Sequence, residues 1–358
     1  MRIATYNVNN LFHRAKLFEL DGFNPAATSI LNDIDQLERL LEEPNYQTVQ
    51  TQLTSLLSKY FSKNATTEYF TINVVRGKLY SVNSDGTGVT LKAKGKQDWD
   101  GWIEAAYEMA EIPAYENTGK VISKIKPDII CIVECEGRNA LQQFNDTILQ
   151  NLFKYNMSVE GNDPRGINVG IYSNLPITNI DTHIFDTYAS NERQYKIFSR
   201  DCAEYEITLK SGQKLHMLCN HLKSQGYGTQ QDNDRKRKLQ AEQVNKILKN
   251  YDLNKDFVIV AGDFNATPQS ASLQPLLSNI SLINVVSTIN GSQGTYLKTD
   301  DQLDYLLVST ALNNKMTNVG IERRGIFNNG QVTPFNTVTN AATQASDHAL
   351  VWADFDIN

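Results

Sequence analysis

The chain opens on an alternating run, Arg2 to Val8, that predicts a half-buried strand. Apolar or alternating runs at Asp128 to Glu134, Asn168 to Tyr172, Ala203 to Leu209, Lys214 to Cys219, Phe257 to Ala261, Gln302 to Val308 and Ala349 to Phe355 predict further strands. Lys210-Ser211-Gly212-Gln213 separates two of them with hairpin chemistry, so those two are expected to be antiparallel neighbours. Helical spacing of Leu239, Ala241, Val244, Ile247 and Leu248 predicts a helix from Asp234 to Lys249. A shorter helix is expected from Gly119 to Lys126, capped by Asn117 or Thr118 and stopped by Pro127. Hairpins and helices interleaved along one chain predict an α/β sandwich.

Between His13 and Pro113 the texture changes. LNDIDQLERLLEEPNYQTVQTQLTSLLSKYF has a helical period interrupted at Pro44, and YFTINVVRGKLYSVNSDGTGVTLKAK reads as strands around a Gly-rich turn. The expected organisation is one domain over 1–358 with residues 14–113 inserted into it, as a folded insertion or a small appended subdomain.

Composition narrows the class. At 358 residues and 41% hydrophobic the chain can bury a substantial core. It has no apolar run long enough to span a bilayer, so no membrane partner is expected. The first strand begins almost at once, leaving no room for a signal peptide; the expectation is cytoplasmic, or secreted or periplasmic if a leader was trimmed. A formal charge of −6, from 34 basic and 40 acidic residues, means that any nucleic-acid contact is a local basic patch. Cys131, Cys135, Cys202 and Cys219 lack zinc-site spacing and read as buried thiols.

Five strand ends change abruptly from apolar text to acid, amide or imidazole. Asn7 and Asn9 end the first strand, Glu134 and Glu136 the second, Asn220 and His221 the run LHMLC, and Asp263 and Asn265 the run FVIVA; Asp347 and His348 precede the last strand. Alternation should aim Glu134 and Glu136 one way, and likewise Asp263 and Asn265. Any one of these is most simply a turn residue. Together they supply acids, amides and two imidazoles without a nucleophilic Ser or Cys, a set suited to a hard divalent cation and a phosphate.

These residues, in this order, resemble the endonuclease/exonuclease/phosphatase superfamily, whose fold is that of deoxyribonuclease I. The resemblance rests on ATYNVNNL, PDIICIVE, RGINVGIYSNLPI, CNHLKS, GDFNATP, DQLDYLLVS and SDHALVWADF, covering residues 1–12 and 117–358. It implies a four-layer αββα sandwich of two mixed sheets, with a cleft built from strand ends. By resemblance Glu134 is the main Mg²⁺ or Mn²⁺ ligand, helped by Asn7 and Asp347. Asp263 orients or deprotonates water, Asn265 and His348 contact the scissile phosphate, Asp304 orients His348, and His221 binds phosphate or acts as general acid. Asn220 and Lys223 flank His221 in the same motif and are candidate substrate contacts. Asn9 stands where several relatives carry an acid; Glu136 either replaces that charge or pairs with a basic neighbour. Arg165 either clamps a phosphate or is a solvated loop residue.

Nucleases, sphingomyelinases, inositol-polyphosphate phosphatases and deadenylases share this cleft, so the resemblance alone leaves the substrate open. NHLKS followed by DNDRKRKLQAEQV resembles bacterial nonspecific nucleases, with Arg235, Lys236, Arg237 and Lys238 as phosphate contacts or a solvated face. The expected activity is therefore a metal-dependent nuclease or phosphodiesterase acting on DNA or RNA. The alternatives are a phosphomonoesterase or lipid-headgroup hydrolase, and an inactive binding protein. Placed after the first strand, the insertion is expected to overhang the cleft, with Tyr80, Lys92, Lys94, Lys96, Trp99 and Trp102 as a single-strand wall or, for the tryptophans, as its own core.

Overall fold

The computed structural model describes residues 1–11, 25–63, 65, 69–105, 112–190, 192–226, 228–328 and 330–357, the side chains of 10, 25–27, 105 and 112 excepted. Two compact units emerge, Met1–Phe12 with Ala110–Asn358, and His13–Met109. Strand β1 (Arg2–Leu11) opens the larger one. The smaller then carries helices α1 (Pro25–Leu41) and α2 (Gln50–Phe61) and strands β2 (Phe70–Arg76), β3 (Tyr80–Val82), β4 (Val89–Leu91) and β5 (Asp100–Ala105), paired as two ribbons, β2 with β5 and β3 with β4.

The smaller unit has its own core of Leu37, Leu53, Leu57, Tyr60, Phe70 and Trp99. Trp99 donates its indole N–H to Tyr46 Oη at 2.5 Å, and Tyr46 in turn donates to the carbonyl of Leu41 at 2.8 Å. A buried indole needs such a partner. The expected stacking wall therefore loses Trp99, while Trp102 on β5 keeps 53% of its surface exposed.

The larger unit continues with α3 (Ile112–Ile125), β6 (Ile129–Cys135), α4 (Arg138–Thr147), β7 (Tyr155–Ser158), β8 (Asn168–Ser173), β9 (Ile177–Asp181), β10 (Thr187–Ser190), β11 (Arg193–Lys196), β12 (Cys202–Thr208) and β13 (Lys214–His221). After α5 (Gln230–Ile247) come β14 (Phe257–Asp263), β15 (Leu282–Asn284), β16 (Asp304–Ser309), β17 (Met316–Glu322) and β18 (Leu350–Phe355). They build two six-stranded sheets, ordered β17-β18-β1-β6-β8-β7 and β15-β16-β14-β13-β12-β9. Alternate residues of both sheets, Ile129, Cys131 and Val133 on one and Met217, Cys219, Ile259 and Ala261 on the other, close one core between them. The outer faces are covered by α3 and α4 on one side, through Val121, Ile122, Leu141 and Phe144, and by α5 on the other, through Ala241, Val244 and Ile247. This is the expected four-layer αββα sandwich, with mixed sheets.

Each sheet contains one parallel pair, β1 with β6 and β13 with β14, and antiparallel neighbours elsewhere. Parallel neighbours bring their carboxyl ends to one edge. The expected hairpin at 210–213 is present, closed by Leu209 N–H to the Gln213 carbonyl at 2.9 Å, with Gly212 at φ +84°.

Two helix starts were misplaced by the sequence pattern. Helix α3 begins at Ile112, so Asn117 and Thr118 are interior, not caps; their side chains reach the Thr343 and Ala345 carbonyls at 2.6 and 2.8 Å. Helix α5 begins at Gln230 because Thr229 caps it, accepting from Asp232 N–H at 3.1 Å. All four cysteines are free and buried. Among the described residues no helix is long and apolar enough to cross a membrane.

Candidate active site

Asn7, Glu134, His221 and Asp263 sit at the carboxyl ends of the two parallel pairs, on β1, β6, β13 and β14. Register places His221 opposite Asp263, and Asp263 opposite Asp304 at the start of antiparallel β16. His348 arrives just before β18, where its strand-like bridge to Tyr296 and the bond from Ala349 N–H to the Thr295 carbonyl (2.7 Å) hold the backbone. One edge of the sandwich thus collects six of the expected side chains.

Asp263 is the centre. The Asn7 amide donates to its Oδ2 at 3.0 Å and to Glu134 Oε1 at 3.3 Å. His221 Nε2 lies 3.7 Å from Asp263 Oδ2 and 3.8 Å from Glu134 Oε1, and His348 Nε2 lies 3.9 Å from Asp263. Asn265 supports Asp263 from below: its backbone N–H donates to Oδ1 at 2.8 Å, and its amide donates to Oδ2 and to the Leu222 carbonyl, each at 3.2 Å. In this arrangement the Asn265 side chain is engaged with Asp263 and Leu222.

Near three of these strand ends one residue is left-handed, Asn9 (φ 50°), Glu134 (φ 67°) and Asn265 (φ 54°). Asparagine tolerates that conformation, whereas Glu134 holds it at about 1–2 kcal/mol. The simple alternation expected for Glu134 and Glu136, and for Asp263 and Asn265, therefore breaks. The Glu136 backbone instead binds Leu11, through its N–H, and the Asn168 amide, through its carbonyl. Gly262 has φ +133°, and a Cβ there would lie 1.8 Å from the Asn220 carbonyl oxygen. Its role is to let β14 approach β13 closely at Asn220.

Charge is distributed unevenly between the two imidazoles. Burial opposes a proton on His348, but Asp304, whose Oδ2 is 2.8 Å from Nδ1, and Asp263 overcome it and raise its pKa to about 10. Thr295 Oγ1 donates to the same Asp304 oxygen at 2.7 Å and accepts from Leu303 and Asp304 N–H, which fixes the carboxylate. His221 is the opposite case: burial, then Arg200, His348 and Arg165, hold it well below 6.5, so it is neutral. Burial also raises both Asp263 and Glu134, with the His348 charge opposing the shift in each.

Arg200 carries no strand-end signal, since it stands two residues before β12, at a strand beginning. It is buried, with Nε 3.0 Å from Asp163 Oδ2, and Arg165 grips the same carboxylate at 3.1 and 2.9 Å. The Arg165 side chain is thus held in an ion pair and 34% exposed, not freely solvated. Lys223 lies on the same side, its charge opposed first by burial and then by Arg200 and Arg165. Asn220 is elsewhere: fully buried, it donates to the Leu218 carbonyl at 3.1 Å on the opposite strand face, which corrects the expected substrate contact. Arg237 is likewise buried, donating to the Lys223 carbonyl at 2.7 Å and pairing with Asp234, so it is unable to meet a phosphate. Asp347 is 3.4 Å from Lys298 Nζ, and Tyr296 packs against His348 with ring centroids 4.9 Å apart. Tyr296 and Lys298 carry no sequence signal beyond their spacing in an irregular loop.

The donor set suits a divalent cation. Glu134 is drawn toward protonation by burial and by repulsion from Asp347, a cost that a bound cation removes. Its carboxylate, with Asp347 and the Asn7 amide, is an oxygen set of the kind that Mg²⁺ or Mn²⁺ accepts. Asn7 Oδ1 here accepts from Asn9 N–H at 3.0 Å, so serving as a ligand asks its amide to turn. Asp263, Asp304 and His348 also bring ligand atoms within 4.8 Å of one another. Within that trio His348 is hydrogen-bonded to Asp304 and stands 3.9 Å from Asp263, and while protonated it has no lone pair for a metal.

A family model described as the Endonuclease/Exonuclease/phosphatase family matches residues 111–348. Among solved structures, an endonuclease/exonuclease/phosphatase from Bacteroides vulgatus is similar with a TM-score of 0.51 at 14% identity, over 69% of this chain and 91% of that one. The human Nocturnin catalytic domain with bound sulfate gives 0.49 at 17%, over 69% and 87%. A mannosyl-6-phosphatase from Bacteroides thetaiotaomicron gives 0.48 at 15%, over 67% and 90%. No curated protein sequence matches the chain.

Proposed function

The chain belongs to the endonuclease/exonuclease/phosphatase family, and from that premise we propose that it is a divalent-cation-dependent phosphodiesterase that hydrolyses nucleic-acid strands. The observation that carries the reading is the division of labour around Asp263: a buried carboxylate of raised pKa beside a charged His348 and a neutral His221.

A carboxylate whose proton affinity is raised toward neutrality is a better general base than an ordinary Asp. Asp263 takes the proton of the attacking water as its oxygen bonds to phosphorus and the bond to the leaving oxygen breaks, the leaving oxygen taking its proton from solvent water. His348, kept protonated and oriented by Asp304, donates Nε2–H to a phosphoryl oxygen whose charge grows in the transition state. Neutral His221 offers one N–H without adding positive charge, and Asn7 and Asn265 hold Asp263 in place. Glu134, Asp347 and Asn7 would hold a divalent cation, which would supply Lewis-acid stabilisation to the same phosphoryl group.

Arg200, Arg165 and Lys223, gathered on the His221 side, favour a second reading, in which the additional negative charge of a phosphomonoester is accommodated there. One assay separates the two: plasmid DNA, structured RNA, an aryl phosphodiester and an aryl phosphomonoester, each with Mg²⁺ or Mn²⁺. The proposal expects cleavage of a polynucleotide and of the diester. Turnover of the monoester alone replaces it with the second reading.

A further inference from the structure

We infer that the β10–β11 ribbon is a docking platform for single-stranded nucleic acid, feeding the strand toward the site; this rests on the phosphodiesterase reading above. The ribbon pairs Thr187–Ser190 with Arg193–Lys196 and contributes no residue to the site itself. Rings and cations lie together at the ribbon, on both of its faces. Phe185 is 72% exposed with Lys196 Nζ 4.5 Å above its ring; Tyr195, 41% exposed, stacks on Tyr188 at 5.7 Å; and Lys236 of α5 lies 5.5 Å over Tyr188.

Large apolar rings left in water next to cations are costly for a surface that does nothing, and ordinary for one that stacks bases and contacts phosphates. Lys236 also donates to the Lys196 carbonyl, which ties the ribbon to α5 and fixes the spacing of rings and charges. Arg193 adds a further exposed charge on the ribbon.

The ribbon is continuous with the cationic side of the site. It is closed at its base by Ile197 N–H to the Asp186 carbonyl at 2.8 Å, and the Asn162 amide bridges the Ile184 and Phe198 carbonyls at 2.8 and 3.2 Å. Asp163, the next residue, holds Arg200 and Arg165. Arg200 follows Lys196 by four positions, a chain distance of at most about 14 Å. Tyr195 and Lys196, adjacent on β11, point to opposite faces of the ribbon, so a strand wrapped over its edge meets Tyr195, Tyr188 and Lys236 on one face and Phe185 and Lys196 on the other. A strand with unpaired bases fits this geometry, since stacking needs accessible base faces and a duplex hides them.

The test uses the full chain with Phe185→Ala, Tyr195→Ala and Lys196→Gln, none of which touches the site. Binding of a fluorescent single-stranded oligonucleotide of about a dozen nucleotides is measured in chelator, and cleavage of the same oligonucleotide and of an aryl phosphodiester is measured with Mg²⁺. Each aromatic substitution is expected to weaken oligonucleotide binding by about 10-fold and to leave aryl diester hydrolysis unchanged. Lys196→Gln is expected to reduce the slope of log K against log salt by about 0.7. If Tyr195→Ala disturbs the ribbon, Phe185→Ala, whose ring is mostly in water, still decides the matter. Oligonucleotide cleaved by the wild type and bound equally by the variants overturns the platform and leaves the phosphodiesterase reading standing. A wild type that hydrolyses the aryl diester but neither binds nor cleaves the oligonucleotide overturns both the platform and the nucleic-acid substrate. Binding to phosphatidylserine vesicles that the ribbon substitutions weaken, with oligonucleotide binding untouched, assigns the surface to a lipid and overturns it as well.

Discussion

At the scale of single residues the account turns on protons. His348→Ala and Asp263→Asn should each lower kcat by on the order of 10²-fold or more, the loss expected for a transition-state donor or a general base. Unfolding midpoints should stay close to wild type; a collapse of the midpoint in both variants makes these residues structural. A second imidazole tests the electrostatics away from the cleft. His183 is opposed by burial, but Glu204 at 2.5 Å and Asp186 at 3.0 Å raise its pKa above 6.5. A raised histidine stabilises the fold fully below its unfolded pKa, and that contribution fades as pH rises through the folded value. His183→Gln should therefore lower stability by about 1–2 kcal/mol at pH 6 and by less at pH 9. Equal destabilisation at both pH values, read from thermal melts, removes the charge from the explanation.

Elements explain why those side chains meet. One parallel pair in each sheet sends Asn7, Glu134, His221 and Asp263 to the same edge. That convergence was legible in the sequence, because apolar runs ending in acids and amides announce strands whose ends do chemistry. What was not legible is local. Left-handed backbone at Glu134 and Asn265 has no composition signal, so face assignments based on alternation failed there. Asn220 looked like a site residue because it adjoins His221, yet strand alternation buries it on the other face. Arg200 escaped notice since its partner Asp163 is remote in sequence. The glycine of β14 is the sharpest test at this scale. Gly262→Ala adds a Cβ against the Asn220 carbonyl in a backbone conformation that alanine avoids. It should destabilise by about 3 kcal/mol and depress activity by shifting Asp263. A variant of wild-type stability and rate would show that the close approach is unimportant.

Over the whole molecule, the sandwich followed from strand and helix patterns, and the family from motifs in their order. The segment after β1 was readable as helices followed by strands in a folded insertion, with its tryptophans left between a single-strand wall and a core of its own. It forms a unit with its own core around Trp99, a role that helical spacing could not assign because the partners of Trp99 come from both halves of the segment. Replacing residues 14–109 by a short Gly-Ser linker should leave a folded larger unit that still hydrolyses an aryl phosphodiester, since β1 pairs with β6 and β18 on its own. An unfolded deletion variant, by circular dichroism, would make the two units interdependent. The central claim is that the Asp263 cluster hydrolyses phosphodiesters with the help of a cation held by Glu134. The most direct measurement is the rate of aryl phosphodiester hydrolysis by wild type and Glu134→Gln, each with excess Mg²⁺ or Mn²⁺ and again with excess chelator. The account predicts turnover only for the wild type with metal, falling on the order of 10²-fold in Glu134→Gln. Undiminished hydrolysis in chelator, or by Glu134→Gln, contradicts it.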